Sequence, residues 1–193
     1  MARPDLAPGG VAELARRRAR RAYDRAHVAS ALRGLVLAGA FAVAAVALHR
    51  TTHVTWLVVA TLAATLATFG WRGGAWRRGS LAGMLAGVPV FVAPALYFML
   101  MHGAHCPDCM MRPTLSCTLV CLGTSSLVGI AVGHAATRDA SPRRFAGGAI
   151  ASALLTGLLG CGTVGFAGAV GVAIGLVAGG VTGWVVASRT ASA

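Results

Sequence analysis

The chain has 193 residues, 56% of them hydrophobic and only 11% charged, which excludes an ordinary soluble domain of this size. Its formal net charge of +12 comes from arginine alone, with no lysine. These arginines recur in short clusters between apolar runs, the pattern that orients membrane proteins. Nucleic-acid binding needs one continuous basic face, so nucleic acid is not an expected partner.

Residues 1–33 read as an Arg-rich arm, helical from about residue 11 because Ala, Leu, Glu and Arg dominate it. Arg16, Arg17, Arg18, Arg20, Arg21 and Arg25 crowd this arm. They serve either as an anchor on anionic headgroups or as a docking helix for a cytoplasmic partner. No cleavable signal peptide is expected, since many charges precede the first apolar run and no small-residue cleavage site follows it.

The first span is expected over residues 34–48, with Arg33 snorkelling at its edge. A second follows over 54–71. The basic, Trp-bearing stretch 72–78 reads as a cytoplasmic loop. The third span is expected over 80–101, kinked by Pro89 and Pro94, and the fourth over 114–136. Residues 137–144 form the last basic loop. The uncharged stretch 145–188 is too long for one crossing and fits two, with an outer turn near Gly160-Cys161-Gly162-Thr163. The expectation is an all-α, polytopic integral membrane protein with six transmembrane helices and both termini cytoplasmic. Residues 1–33 are the arm, 34–188 the membrane domain and 189–193 the tail. Every arginine except Arg50 and Arg112 then lies inside, and all five cysteines lie at or near the outer face.

Gly171, Gly175, Gly179 and Gly183 recur every fourth residue, as do Gly79, Gly83 and Gly87. Such ridges let helix backbones approach closely in lipid. They are packing signals rather than chemistry.

Chemistry concentrates in the outer loop 102–113, which holds His102, His105, Cys106, Asp108, Cys109, Met110 and Met111. His49 and His53 are expected at the same face. Soft thiolate and thioether ligands select Cu(I), and thiolate with imidazole suits Zn(II). A metal site would use His102, His105, Cys106, Cys109 and Met110. The same Cys-x-x-Cys also fits a redox-active dithiol or a plain disulfide holding an exposed loop. Cys117 and Cys121 share one face of the fourth span, and Cys161 at the last outer turn can complete a cluster. Small packing cysteines are the simplest alternative. Five cysteines cannot all pair within one chain. A free thiol, a metal site or an intermolecular bridge in a homo-oligomer takes the remainder.

The spans contain no Asp, Glu or Lys, which argues against a proton-driven transporter. No phosphate-binding loop, Ser-His-Asp order or carboxylate pair is present. A sensor or regulator is therefore expected before an enzyme.

The placement of Cys121-Leu122 (or Cys117) and Cys161, together with the small-residue segment Pro142-Arg143-Arg144-Phe145-Ala146-Gly147-Gly148-Ala149, resembles the six-span bacterial negative regulators of sigma factor F. The resemblance covers residues 115–188 in pattern and the rest in topology. That family has Cys-Pro-Glu where this chain has Cys161-Gly162-Thr163, and the loop cluster 102–111 is not part of its pattern. The resemblance implies a bacterial inner-membrane protein in which Cys121 and Cys161 form a signal-sensing pair and the arm holds a cytoplasmic sigma factor. The rival expectations are a copper, zinc or mercury binding or transport protein, and a membrane thiol-disulfide oxidoreductase acting through Cys106 and Cys109.

Overall fold

In a computed structural model, residues 8–47, 53–102, 115–161 and 166–190 are described. They form six helices: α1 (Pro8–Ala47), α2 (His53–Arg72), α3 (Gly74–His102), α4 (Leu115–Ala136), α5 (Pro142–Cys161) and α6 (Phe166–Thr190). All six are long and apolar enough to cross a membrane. Their outward faces carry large exposed apolar side chains such as Val43, Leu57, Leu85, Leu127 and Val181, as lipid contact requires. The chain is a multi-pass membrane protein.

The 40 residues of α1 join the arm and the first span in one helix. At 1.5 Å per residue it is about 60 Å long, roughly twice the ~30 Å hydrocarbon thickness. Residues 13–26 are exposed throughout and make no bundle contact that shields them. Packing begins at His27, whose ring meets Trp71 of α2 edge-on with centroids 5.9 Å apart, and continues at Ser30, whose hydroxyl donates to Gly70 O of α2 at 2.8 Å. One turn on, Gly34 faces Leu66 so closely that an added Cβ would lie 3.0 Å from the leucine Cβ. Ascending positions in α1 thus meet descending positions in α2, and the two helices are antiparallel.

The expected loop 72–78 is far shorter than its composition suggests. Only Gly73 lies between α2 and α3, because Gly73 and Gly74 take positive φ values of 67° and 55° and reverse the chain at once. Gly73 N–H caps α2 by donating to Phe69 O at 3.1 Å. Trp76, expected in the loop, lies instead in the first turn of α3 and stacks on Phe69. Beyond it α3 remains helical through both Pro89 and Pro94.

The remaining helices form two tight parallel pairs. An added Cβ at Gly79 or Gly83 of α3 would strike the backbone of Phe145 or Ala149 of α5, and Gly87 faces Ala153 and Thr156. Near the far end the relation reverses, and Gly160 of α5 abuts the backbone of Phe91. In the same way Gly175, Gly179 and Gly183 of α6 meet Leu122, Ser126 and Ile130 of α4. Both expected glycine ridges are therefore real contact faces. In a bilayer, close backbone approach and the van der Waals contact it permits supply much of the helix association. α3 packs most extensively on α5 and α4 on α6, whereas α4 and α5 touch much less.

The arginine-rich end has its own clasp. Arg78, at the start of α3, holds Asp139 of the α4–α5 turn through Nε–Oδ2 at 3.0 Å and Nη2–Oδ1 at 3.1 Å. Asp139 Oδ1 also accepts the Ser141 N–H at 2.9 Å, and Ser141 O caps the first turn of α5. The Ser141 amide chiefly holds the Asp139 carboxyl below its usual value; burial opposes it, and the hydrogen bond and charge of Arg78 add to the lowering.

A buried disulfide joins the two helix pairs

Cys121 lies two turns into α4 and Cys161 is the last residue of α5. Their sulfurs are bonded, with Cα atoms 6.2 Å apart and both residues fully buried. The bond closes a sequence separation of 40 residues. Because α4 belongs to one glycine-packed pair and α5 to the other, the bond is a covalent link between two pairs that also share one buried core, in which Val90, Val128, Ala149, Ala153, Val172 and Leu176 pack together. It sits at the end opposite the Arg78–Asp139 clasp.

Each cysteine is placed by its own helix. Ser125 is one turn below Cys121 and donates to Cys121 O at 2.6 Å, with Gly171 O of α6 3.4 Å away. Thr124 donates to Val120 O at 2.7 Å. Such back-bonding satisfies hydroxyls inside a helix and tends to bend it. Cys161 is placed by Gly160. The absence of a side chain there lets α5 reach the α3 backbone at Phe91, which sets Cys161 Sγ 3.7 Å from Val90 O.

The Val90 carbonyl is unusual for a reason visible in the sequence. Its helical donor would be the amide of residue 94, which is Pro94 and has no N–H. In the bridged state Cys161 carries no hydrogen, so the 3.7 Å approach is a contact and not a hydrogen bond. In the reduced state the thiol gains a proton and can donate, weakly, to this oxygen. Deeper on α5, the buried hydroxyls of Ser152 and Thr156 have no hydrogen-bond partner among the described residues.

A line of contacts runs from the bond to α1. Gly160, beside Cys161, touches the Phe91 backbone. The Phe91 ring meets Phe41 of α1 edge-to-face, with centroids 5.6 Å apart. Phe41 and the Arg-rich arm share one uninterrupted helix. None of this line beyond the cysteines was picked out from the sequence. Its one legible signal was Pro94, which removes the usual helical donor of the Val90 carbonyl one turn earlier.

The other expected site residues fall elsewhere. Cys117 lies one turn before Cys121 on α4. His102 is the final residue of α3 and His53 the first of α2. His105, Cys106, Cys109 and Met110, the heart of the expected metal or dithiol loop, lie outside the described residues. Among the described residues no group of three His, Cys, Asp or Glu side chains is placed to hold a metal ion. Arg16, Arg17, Arg18, Arg20, Arg21 and Arg25 all lie on the exposed half of α1, where Arg17 pairs with Glu13. No family model, curated protein or solved structure matches this chain.

Proposed function

We propose that this protein is a membrane-embedded redox regulator, in which the state of the Cys121–Cys161 bond is passed to the Arg-rich half of α1. The observation that carries the reading is the position of the bond. It links the two glycine-packed helix pairs covalently and lies next to the Gly160–Phe91–Phe41 contacts leading to α1. A signal shifts an equilibrium only through a difference in free energy between two states. With the bond closed, α4 and α5 are held together. With it open, the Cys161 thiol has Val90 O as an acceptor, and α4 and α5 are held only by the core that the two pairs share.

Opening requires two electrons and two protons from a dithiol, which leaves as its own disulfide while Cys121 and Cys161 become thiols. Both sulfurs are shielded, and exchange needs direct access of a thiolate to sulfur. The helix ends must part before reduction, so the device responds to sustained change rather than brief fluctuation. Positive-inside asymmetry supports an arm and termini facing the cytoplasm, and the family resemblance supports a bacterial inner membrane. The exposed arginines then present a cationic helix to an acidic surface, for which the resemblance to negative regulators of sigma factor F suggests a sigma factor. The Cys106–Cys109 loop is the expected entry point for oxidant or soft metal.

Hydrogen exchange on the full chain in nanodiscs tests the reading. Oxidised and reduced protein should differ in amide protection along residues 13–45. In Cys161→Ser the same change of redox conditions should leave that segment unaltered. Equal protection in oxidised and reduced wild type overturns the proposal and leaves the bond a structural fastening.

A further inference from the structure

A cavity of about 470 Å³ opens between α1, α2 and α3 at the arginine-rich end of the bundle. Its walls are apolar, with Val36 and Leu37 from α1, Leu66 from α2 and Leu81 from α3. Its rim carries Arg33 and Arg77, and both guanidiniums are exposed. Among the described residues neither has an ion-pair partner: Asp139 is taken by Arg78 and Glu13 by Arg17. The walls themselves contain no acidic residue.

We propose that this cavity is a binding site for one anionic phospholipid. The phosphate would lie between Arg33 and Arg77, and one acyl chain would descend along Leu37, Leu66 and Leu81. Three observations select this occupant. Two cations without an ion pair at the mouth of one apolar cavity favour an anion over a neutral or cationic occupant. A guanidinium matches a phosphate with paired hydrogen bonds. The apolar walls continue into the membrane-spanning zone, where a free anion has nothing to fill them. The volume is within the range of ordinary ligand pockets, and basic pockets between spans are a recognised kind of headgroup site. Ser30 and Gly34 keep α1 and α2 in contact behind the cavity, so the lipid would seat against α1 where its exposed half begins.

Native mass spectrometry of the full chain, delipidated and titrated with phosphatidylglycerol, tests this. Each surface cation is worth about fivefold in anionic-lipid binding. The double variant Arg33→Gln, Arg77→Gln should therefore bind one lipid about thirtyfold more weakly than wild type, while Arg18→Gln on the exposed arm should be unaffected. Equal weakening by Arg18→Gln, or none by the double variant, overturns the site. Inorganic phosphate should not displace the bound lipid; displacement would assign the arginines to a free anion and sink the proposal. A measurement on wild type alone guards against a misfolded variant. A phosphatidylglycerol with a diazirine on its acyl chain should crosslink to residues 36–37, 66 and 81, and its phosphatidylcholine analogue should not. Equal labelling by both lipids would show general lipid contact and no selective site.

Discussion

Glycine does two different jobs in this bundle, and single substitutions separate them. At Gly83 an added methyl would run into the backbone of Ala149. Backbone cannot rotate away as a side chain can, so Gly83→Ala must push α3 from α5. Overpacking of this kind costs about 1–3 kcal/mol, and the variant should melt at a lower temperature. At Gly39 nothing lies within 4 Å. Gly39→Ala should therefore be neutral, or stabilise α1 by up to about 1 kcal/mol through helix propensity. Thermal unfolding of both variants in one detergent checks the contrast, and equal losses would mean that the glycine ridge is not the contact. Asp139 provides a second test at this scale. Its carboxyl is held below the ordinary value in the folded protein, so the charged form is favoured by folding. That contribution is present above the unfolded value of about 3.9 and is lost as the pH falls below it. Asp139→Asn cannot titrate. The difference in melting temperature between wild type and Asp139→Asn should be constant at neutral pH and shrink below about pH 4. An unchanged difference down to pH 2 would show that the Arg78 and Ser141 contacts do not favour the charged carboxylate.

At the scale of helices, α1 is where the proposed signal leaves the bundle. Among the described residues its exposed half has no tertiary partner to stabilise it, so its helicity rests on local propensity and on continuation from the packed half. Ala26→Pro interrupts this continuity at an exposed site. Proline costs about 3 kcal/mol inside a helix, so the arm should lose helical circular dichroism while the bundle melts as before. The redox-dependent exchange proposed for residues 13–45 should then vanish upstream of residue 26 and persist downstream. An undiminished helical signal would show that the arm does not depend on α1 continuity. This scale also separates what sequence could and could not reveal. Six apolar runs and two glycine ridges are local patterns, and both predict helices and contact faces directly. A ridge names a face but not the helix it meets, so the pairing of α3 with α5 and α4 with α6 was not legible. The stretch from Arg72 to Arg78 has loop composition, yet the two positive-φ glycines turn the chain so sharply that α3 starts at Gly74. Arg33 and Arg77 are 44 positions apart in the sequence and share a cavity only because α2 doubles back. Cys121 and Cys161 were visible as a pair only through the family resemblance, with Cys117 as the alternative should Cys121 lie too deep; the register of α4 against α5 selects Cys121.

Across the whole molecule, two independent lines of physics agree on orientation. The described arginines gather at the end of the bundle where α1 and α2 meet through Ser30 and Gly70 and where Arg78 holds Asp139. By the positive-inside rule, such a concentration supports the proposed cytoplasmic placement of this end. The Cys121–Cys161 bond lies at the other end, and disulfides persist where the surroundings are oxidising. Neither argument uses the other's residues. An inverted molecule would place most of its positive charge outside the cell and its disulfide against a reducing cytoplasm. The turn between α4 and α5 reports the orientation with little disturbance, because Ala140 is exposed and makes no cap or ion pair, unlike its neighbours Asp139 and Ser141. In spheroplasts whose outer-facing thiols have been blocked, Ala140→Cys should resist a membrane-impermeant maleimide until the membrane is opened, and then label fully. Labelling of intact spheroplasts at this position would reverse the molecule. The Arg-rich helix would then face outward, and no cytoplasmic partner could be reached by the arm.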